Sequence, residues 1–350
     1  MAYLSTSNTK LLAVCSCVPK RIEKTTNYHH ITPEEQELFI KTTGISERRV
    51  AEDAVTCSDL CYEAALNILE KFNCADDIDV IIFVSQSPDY YLPATAVILQ
   101  DRLHLKKSCL AFDISLGCSG YIYGLSVMSN LLQGGQLKKG LLLVGDKSTT
   151  STHYKDKSTF PLFGDAGSAT LMEYSPDGGN WHFNLQSDGS GKRAIMIEHG
   201  QSRHPFDETL NELMEIEPGI SRAKKHLILD GFGIFNFALQ EVAPNINALT
   251  AESGIAKEEI DYFVFHQANK LINESVRKKL KIAPEKVPSS IQLFGNTSSA
   301  SIPLTMCYAM KDALAAEKLT LLLSGFGVGF SWGSVILQTE NLYTDLIEHD

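Results

Sequence analysis

The sequence predicts an α/β fold made of two similar halves, residues 1–175 and 176–350. Two observations support this prediction. Continuous apolar, β-branched runs alternate with segments of helical periodicity, which is typical of sheets covered by helices. The second half also repeats motifs of the first at a nearly constant offset, which indicates a duplicated unit. A chain of 350 residues is long enough for two such units.

The first half contains five strand candidates and three helix candidates. Residues 78–84, Ile-Asp-Val-Ile-Ile-Phe-Val, have the composition of a strand that is buried on both faces. Residues 58–72 carry apolar side chains at helical spacing, and Pro33 marks the start of an earlier helix. The strand candidates are 11–18, 78–84, 110–114, 141–145 and 167–172, and the helix candidates are 34–42, 58–72 and 121–132.

Residues 175–220 interrupt the regular pattern. They are rich in Gly, Asp, Glu, His and Pro and show weak periodicity, so we expect loops or an insertion between the halves. The histidines in and near this segment, including His226, are expected at the surface. The charged run Glu47-Arg48-Arg49 is expected to be a solvated turn.

The repeat relates apolar runs and one turn of the two halves. Its offset is 178 to 182 residues, and it falls to 166 at the last pair because the first half carries an extra loop at 148–161. Approximate two-fold packing of such units brings the equivalent turns to a common centre. The matched segments are 78–83 with 260–265, 117–119 with 295–297, 141–144 with 321–324 and 167–171 with 333–337.

Cys118 lies in the small-residue turn Leu116-Gly117-Cys118-Ser119-Gly120, between a predicted strand and a predicted helix. Such an elbow exposes one side chain at a helix N-terminus, where the helix dipole is expected to lower the pKa of the thiol and supply thiolate near neutral pH. The alternative is an inert buried cysteine, which is common.

His266 and Asn296 are predicted to meet Cys118 at the centre between the halves. His266 follows the strand candidate 260–265, and Asn296 occupies the position equivalent to Cys118. Both can donate a hydrogen bond to one oxygen and so stabilise an enolate, a contribution of about 3 kcal/mol per donor. Each also has a purely structural alternative, a satisfied core histidine for His266 and a helix cap for Asn296.

A Cys–His–Asn set also fits a thiol protease, in which the histidine is the base and the asparagine orients it. The sequence leaves this alternative open. The duplication argues against it, because Asn296 stands at the position of a second nucleophile rather than of a supporting residue.

Composition excludes several other classes of protein. The net charge of −11 argues against a nucleic-acid binder, and no apolar run is long enough for a membrane span. The cysteines form no CxxC pair, so a metal site is not expected. A polar N-terminus without the apolar core of a signal peptide predicts a cytoplasmic protein.

Four motifs together resemble the β-ketoacyl-acyl-carrier-protein synthase III family of thiolase-fold condensing enzymes. The resemblance covers about residues 11 to 340. It implies two halves that each contain a mixed five-stranded sheet, layered α-β-α-β-α. The motifs are Leu116-Gly117-Cys118-Ser119-Gly120, His266-Gln267-Ala268-Asn269, Gly295-Asn296-Thr297-Ser298-Ser299-Ala300-Ser301 and Gly325-Phe326-Gly327-Val328-Gly329-Phe330.

The resemblance implies a two-stage reaction. An acyl group moves from acyl-CoA or an acyl carrier protein to Cys118, and a malonyl thioester on acyl carrier protein then loses carbon dioxide. His266 and Asn296 would stabilise the resulting enolate, which attacks the acyl group. No metal or organic cofactor is implied. A homodimer and acyl carrier protein are the implied partners.

The resemblance also implies roles for further residues. The backbone N–H groups of Cys118 and Val328 would form the oxyanion hole. Leu92, the residue before Pro93, would reach into the acyl pocket of the partner, and Phe326 would line the acyl pocket. Residues implied for CoA or phosphopantetheine are Asn269, Gly231 and Lys157, and those implied for docking of the acyl carrier protein are Lys270, Arg277 and Lys278.

One departure from the family pattern concerns the donor. Members that start from acetyl-CoA carry a Trp and an Arg that stack on adenine, where this chain has Leu38 and Thr42. We therefore expect a specialised member that is loaded from acyl carrier protein. Two rivals stay open, an acyltransferase of the same fold that acts without decarboxylation and a scaffold without activity, although the complete Cys–His–Asn set argues against the scaffold.

Overall fold

The computed structural model describes residues 2–349 and contains strands and helices in alternation. The strands are β1 Ala2–Thr6, β2 Thr9–Pro19, β3 Ile22–Lys24, β4 Glu47–Arg49, β5 Ile78–Val84, β6 Leu110–Ile114, β7 Lys139–Asp146, β8 Ala166–Tyr174, β9 Trp181–Ser187, β10 Ile195–Met196, β11 Met214–Glu217, β12 Ile220–Arg222, β13 Ile228–Leu229, β14 Tyr262–Phe265, β15 Lys318–Gly327, β16 Ser331–Glu340 and β17 Tyr343–His349. The helices are α1 Pro33–Thr43, α2 Cys57–Phe72, α3 Thr95–Arg102, α4 Gly120–Leu132, α5 Gly231–Phe237, α6 Ala243–Ser253, α7 Lys270–Leu280, α8 Ile291–Phe294, α9 Ser301–Ala309 and α10 Lys311–Ala316.

Two mixed sheets form the framework. One has the order β17-β2-β8-β7-β5-β6 and the other has the order β1-β9-β16-β15-β14. Both sheets contain two parallel strands with an antiparallel strand beside them. In the first sheet β5 and β7 are parallel and β8 is antiparallel to β7. In the second sheet β14 and β15 are parallel and β16 is antiparallel to β15. These are the strands that the sequence repeat pairs, so the duplication is present in the topology.

The expectation of five strands in each sheet is wrong for the first sheet, which has six. The C-terminal strand β17 pairs in parallel with β2 and adds the sixth strand. The N-terminal strand β1 crosses to the second sheet and pairs with β9. Among the described residues of the second half, 176–349, no strand is equivalent to β6, so β1 completes the five strands of the second sheet. Each sheet therefore contains one terminal strand from the other end of the chain.

Helices α4 and α9 fill the layer between the two sheets. Helix α4 packs on β5 and β7 of one sheet and on β15 and β16 of the other, while α9 contacts β2, β8, β14 and β15. Helix α4 has nine buried residues among 13, as expected for a helix that is covered on most sides. Helices α2 and α3 cover the first sheet from outside, and α6 and α7 cover the second. The layers are α-β-α-β-α, as predicted.

Residues 175–220 are not all loop, which corrects the prediction for this segment. Strand β9 lies inside the second sheet, between β1 and β16. Its alternating side chains Trp181, Phe183 and Leu185 are buried, which is the period-two pattern of a strand. His226, expected at the surface, is buried as well. Its ring Nδ1 lies 2.8 Å from the backbone nitrogen of Ala223, so a local turn explains its burial.

The expectation of a solvated turn at residues 47–49 is also wrong. Arg48 lies on the short strand β4, and only 4% of its surface is exposed. Its guanidinium donates to Glu23 Oε2 at 2.7 Å, to the carbonyl oxygen of Phe163 at 2.9 Å and to the carbonyl oxygen of Phe160. It therefore fixes the loop 160–163 that borders the cavity described below.

None of the helices among the described residues is both long and apolar enough to cross a membrane.

Candidate active site

A cavity opens where the elbows and strand ends of both halves meet. Cys118, His266 and Asn296 all line it. They are far apart in the sequence, since His266 lies 148 positions after Cys118 and Asn296 lies 30 positions after His266. They are buried, with 7%, 1% and 9% of their surfaces exposed. The convergence expected from the repeat is therefore present in the structure.

Cys118 lies in the turn between β6 and α4, against the hairpin that joins β15 and β16. The approach is close, because a Cβ placed on Gly327 would lie 2.7 Å from Cys118 Cβ and 2.9 Å from its Sγ. Gly327 has a φ of +158°, and no larger residue would fit. The backbone N–H of Val328 hydrogen-bonds the Cys118 sulfur. This donor is already directed at the position where an acyl group would be attached.

The expectation of a lowered pKa for Cys118 is wrong. Burial raises the pKa of Cys118 to about 11, and the nearby carboxylate of Asp146 adds to this effect. The N–H of Val328 and the side chain of Ser298 act in the opposite direction, but their effects are weaker. Desolvation therefore outweighs the helix dipole, because the dipole of one helix end is worth at most about 2 kcal/mol.

His266 follows β14 and is a neutral hydrogen-bond donor. Burial lowers its pKa to about 3. Its Nδ1 lies 2.7 Å from Ser301 Oγ, which also accepts the backbone N–H of Gln267 at 3.3 Å. Because Ser301 accepts from Gln267, its own hydrogen is available for Nδ1, and we assign the ring proton to Nε2.

Asn296 is held by backbone contacts with the other half. Its N–H donates to the carbonyl oxygen of Leu162 at 2.9 Å, and its carbonyl oxygen accepts from the N–H of Gly164 at 3.1 Å. Its side-chain Oδ1 accepts the backbone N–H of Ser298 at 2.9 Å. The Nδ2 amide is therefore the group that Asn296 offers to a ligand in the cavity.

These contacts exclude the thiol-protease alternative. In such a protease the asparagine orients the histidine, and the histidine takes the thiol proton. Here Ser301 contacts His266 Nδ1 instead, and the Asn296 oxygen bonds to its own segment. A histidine with a pKa of about 3 is also a poor base at neutral pH.

Several other predicted residues line the same cavity, namely Phe326, Val328, Asn269 and Gly231. The ring of Phe326 contacts His266 edge-on, with centroids 5.6 Å apart. Asn269 caps helix α7, where its Oδ1 accepts the N–H of Ile272 at 2.8 Å.

Two predicted residues do not line the cavity. Lys157 forms an ion pair with Glu35 at 2.9 Å, a contact that the sequence did not indicate. Leu92 is 85% exposed and lies outside the cavity of its own chain. Its insertion into the pocket of a partner stays a prediction.

The basic residues predicted for docking lie on α7. Lys270 and Lys278 are exposed. Arg277 is less available, because its guanidinium bonds to Glu274 at 2.8 Å and to the carbonyl oxygen of Ile282 at 2.6 Å. The i,i+3 spacing of Glu274 and Arg277 explains this pairing.

Sequence reasoning missed the apolar wall and the polar floor of the cavity. The wall comes from the segment 195–234, of which residues 195–220 were expected to be loop or insertion. Alternation of apolar residues around 195–197 was its only local signal. The wall residues are Ile195, Ile197, Leu227, Leu229 and Ile234, and the floor includes Asp146 and Ser298. Within residues 2–349 no cluster of His, Cys, Asp and Glu could hold a metal ion.

Comparisons with known proteins show the family to which the chain belongs. A family model described as 3-oxoacyl-[acyl-carrier-protein] synthase III matches residues 112–189, and the model of its C-terminal part matches residues 250–339. A β-ketoacyl-[acyl-carrier-protein] synthase III of Oceanobacillus iheyensis is 31% identical over 333 residues, which cover 95% of this chain and 99% of the relative. The chain belongs to the β-ketoacyl-acyl-carrier-protein synthase III family.

A second relative and a solved structure extend the match. The relative from Streptococcus agalactiae is 32% identical and covers 94% of this chain and 98% of its own length. The crystal structure of a 3-oxoacyl-(acyl-carrier-protein) synthase from Burkholderia xenovorans LB400 aligns with a TM-score of 0.93, at 39% identity, over 99% of each chain. The resemblance and the thiolase-like fold predicted from the sequence are confirmed. The protein is an acyltransferase of the condensing type.

Proposed function

We propose that the protein moves an acyl group from a thioester donor to Cys118 and then joins it to a malonyl group carried by acyl carrier protein. The observation that carries this proposal is the shared cavity. One half supplies a nucleophile, and the other half supplies two neutral hydrogen-bond donors that face it.

The first stage is transfer to sulfur. The Cys118 thiolate attacks the thioester carbonyl, and the donor thiol leaves with the proton. The N–H of Val328, which already contacts the sulfur, and the N–H of Cys118 receive the oxyanion. The aliphatic wall at 195–234 would surround the acyl chain.

The second stage is decarboxylation and carbon–carbon bond formation. The malonyl thioester loses carbon dioxide, and its carbonyl oxygen becomes an enolate oxygen. His266 Nε2–H and Asn296 Nδ2–H donate to that oxygen. Both donors are neutral, so they stabilise negative charge without an ion pair in the free enzyme. The enolate carbon attacks the acyl carbonyl, the bond from that carbon to the Cys118 sulfur breaks, and the released thiolate takes up a proton from solvent. No metal or organic cofactor takes part in this scheme.

The donor is proposed to be acyl carrier protein rather than CoA. Leu38 of α1 is 60% exposed, and Thr42 bonds to the carbonyl oxygen of Leu38 in its own helix at 2.8 Å. This helix surface therefore offers no aromatic ring or guanidinium to an adenine at these two positions. Such a stacking partner is worth about 1–3 kcal/mol per base in nucleic-acid systems. Lys270 and Lys278 are the proposed contacts for the acidic carrier.

A cytoplasmic homodimer completes the proposal. All eight cysteines are free and buried, which suits a reducing compartment. Leu92, exposed in this chain, is proposed to reach the acyl pocket of the partner.

The central experiment measures both stages. The wild-type protein is incubated with acetyl-CoA and with acyl carrier proteins that bear acyl groups of two to ten carbons, and the adduct on Cys118 is identified by mass spectrometry. Carbon dioxide release from malonyl-acyl-carrier-protein is then followed. We expect an adduct, carbon dioxide release and a 3-oxoacyl product, with faster loading from carrier protein.

Different outcomes contradict different parts. An adduct without carbon dioxide release, together with transfer to an alcohol or amine, would establish the simple acyltransferase instead. Efficient loading from acetyl-CoA would overturn the donor preference alone. The absence of any adduct with every donor would overturn the whole function.

A further inference from the structure

A buried carboxylate in the polar floor of the cavity has no part in the scheme above. Asp146 ends strand β7, lines the cavity and is 3% exposed. A buried charge is costly unless it is paired, yet the adjacent Lys147 directs its Nζ to backbone carbonyls at 2.7 to 3.1 Å instead. The carboxylate accepts hydrogen bonds from Ser85 Oγ at 3.1 Å, from Gln86 N at 2.7 Å, from Ser87 Oγ at 3.3 Å and from Ser299 Oγ at 3.3 Å.

Ser298 connects this carboxylate to the nucleophile. Its side chain lines the cavity beside both groups and lowers the pKa of each. A Cβ placed on Gly117 in the elbow would lie only 3.3 Å from Ser298 Oγ, so the hydroxyl is packed against the turn that carries Cys118. Because a carboxylate only accepts, Ser298 donates to Asp146 and has a lone pair for the thiol hydrogen.

The backbone of Ser298 adopts a strained conformation of the kind that is found at functional sites. Its φ is +51°, in the left-handed region that non-glycine residues seldom adopt. Such conformations carry strain and cluster at functional sites. Its backbone N–H donates to Asn296 Oδ1 at 2.9 Å.

We infer that Asp146 accepts the Cys118 proton through the hydroxyl of Ser298 when Cys118 is acylated, an inference that rests on the proposed acylation of Cys118. The thiol hydrogen passes to Ser298 Oγ while the Ser298 hydrogen passes to Asp146. The thiolate attacks the thioester carbon, the carbon–sulfur bond of the donor breaks, and the departing thiolate regains the proton from Asp146. The exchange consumes no net proton.

The titratable groups around Cys118, Ser298 and Asp146 support transfer of the proton from Cys118 to Asp146. Burial raises the pKa of Asp146, and it raises the pKa of Cys118 to about 11, with the Asp146 charge contributing. Proton transfer relocates one negative charge and adds none, which avoids the cost of a second buried charge. Of the other titratable groups, Cys57 of α2 faces Asp146 with a raised pKa, and His266 is neutral with its Nδ1 engaged by Ser301.

The test measures the pH dependence of Cys118 acylation in single turnovers, between pH 5.5 and 10, with quenching and mass spectrometry. The wild-type rate is expected to be nearly constant from pH 6 to 8. In Asp146→Asn, we expect the rate at pH 7 to fall about 100-fold, as for loss of a general base, and to rise tenfold per pH unit. Ser298→Ala should give the same profile. Asp165→Asn is the matched control, a buried carboxylate with a raised pKa outside the cavity, and should keep the wild-type profile.

A uniform loss of rate at every pH in Asp146→Asn would overturn the inference, because it would indicate a structural role alone. A wild-type profile in a folded Ser298→Ala protein would overturn it as well, even if Asp146→Asn does not fold. Alkylation of Cys118 by iodoacetamide repeats the test without any acyl donor. If no donor acylates the wild-type protein but alkylation shows the altered profile, the proposed function fails and the proton path stands.

Discussion

Each half places one functional side chain on a turn, Cys118 in the first half and Asn296 in the second. The two turns are similar, but their surroundings differ. In the first half, β6 leads through Cys118 into α4, a helix of 13 residues. In the second half no strand precedes the turn, and Asn296 leads into α9, a helix of nine residues. Both side chains line the same cavity. The duplicated scaffold therefore determines where the chemistry happens, and the residue at the turn determines which step each half performs.

The second turn depends on the first half for its shape. Gly295 has a φ of +64°, which permits the chain to reverse before Asn296. Asn296 is then bound by Leu162 and Gly164, from the loop that Arg48 anchors. The first turn instead packs against Gly325 and Gly327 of the second half. Each turn is therefore completed by the opposite half.

The largest expected effect comes from removing the nucleophile. Cys118→Ala should lower acylation at least 1000-fold, because no other group on the cavity wall is a strong nucleophile. Carbon dioxide release from malonyl-acyl-carrier-protein should stay within about tenfold, since the two enolate donors are untouched. Mass spectrometry and carbon dioxide release measure the two stages separately. Loss of both stages would contradict a division of labour between the turns.

The reverse experiment is Asn296→Ala. Carbon dioxide release should fall by about 10² to 10³, the usual cost of one oxyanion donor, whereas Cys118 acylation should change less than about threefold. Asn130→Ala, an exposed residue on α4, serves as the control and should leave both rates unchanged. An equal loss in both stages would show that Asn296 supports the site as a whole.

A smaller effect is expected for the anchor of the second turn. Arg48→Met should lower the free energy of unfolding by about 2 kcal/mol, because two buried carbonyl oxygens lose a charged donor. Arg21→Met is the matched control, since Arg21 also pairs with Glu23, at 2.6 Å, but is 51% exposed. It should change stability by less than about 0.5 kcal/mol. Urea denaturation measures both, and equal effects would show that Arg48 is no special anchor.

The last prediction is that pH has no effect on carbon dioxide release. In the Cys118→Ala background, carbon dioxide release should be independent of pH between 5 and 8. The pKa of His266 is lowered to about 3, so the neutral donor form persists throughout this range and protonation begins only as pH falls toward 3. Carbon dioxide release with a midpoint near pH 6.5 would contradict the neutral-donor assignment.

The segments that sequence analysis placed well share a strong local signal. The runs 78–84 and 110–114 are strands with those boundaries, because consecutive apolar residues suit a strand between helix layers. The segment around β9 was missed, since Gly- and Asp-rich neighbours obscured a short alternating pattern. Arg48 was misplaced because charge indicates solvent on average, and only the fold supplies carbonyl oxygens that make its burial favourable.

The sequence by itself determined the two-fold plan, the fold family and the convergence of Cys118, His266 and Asn296 on one cavity. These features depend on local patterns and on a repeat. Only the tertiary structure decided the protonation states and the helper residues. A thiol at a helix N-terminus suggests a lowered pKa, but burial beside Asp146 raises it. Desolvation and hydrogen bonding depend on every neighbour in space. Asp146 and Ser301 become neighbours of Cys118 and His266 only when each half folds, and Ser298 comes close to Cys118 only when the halves pack together.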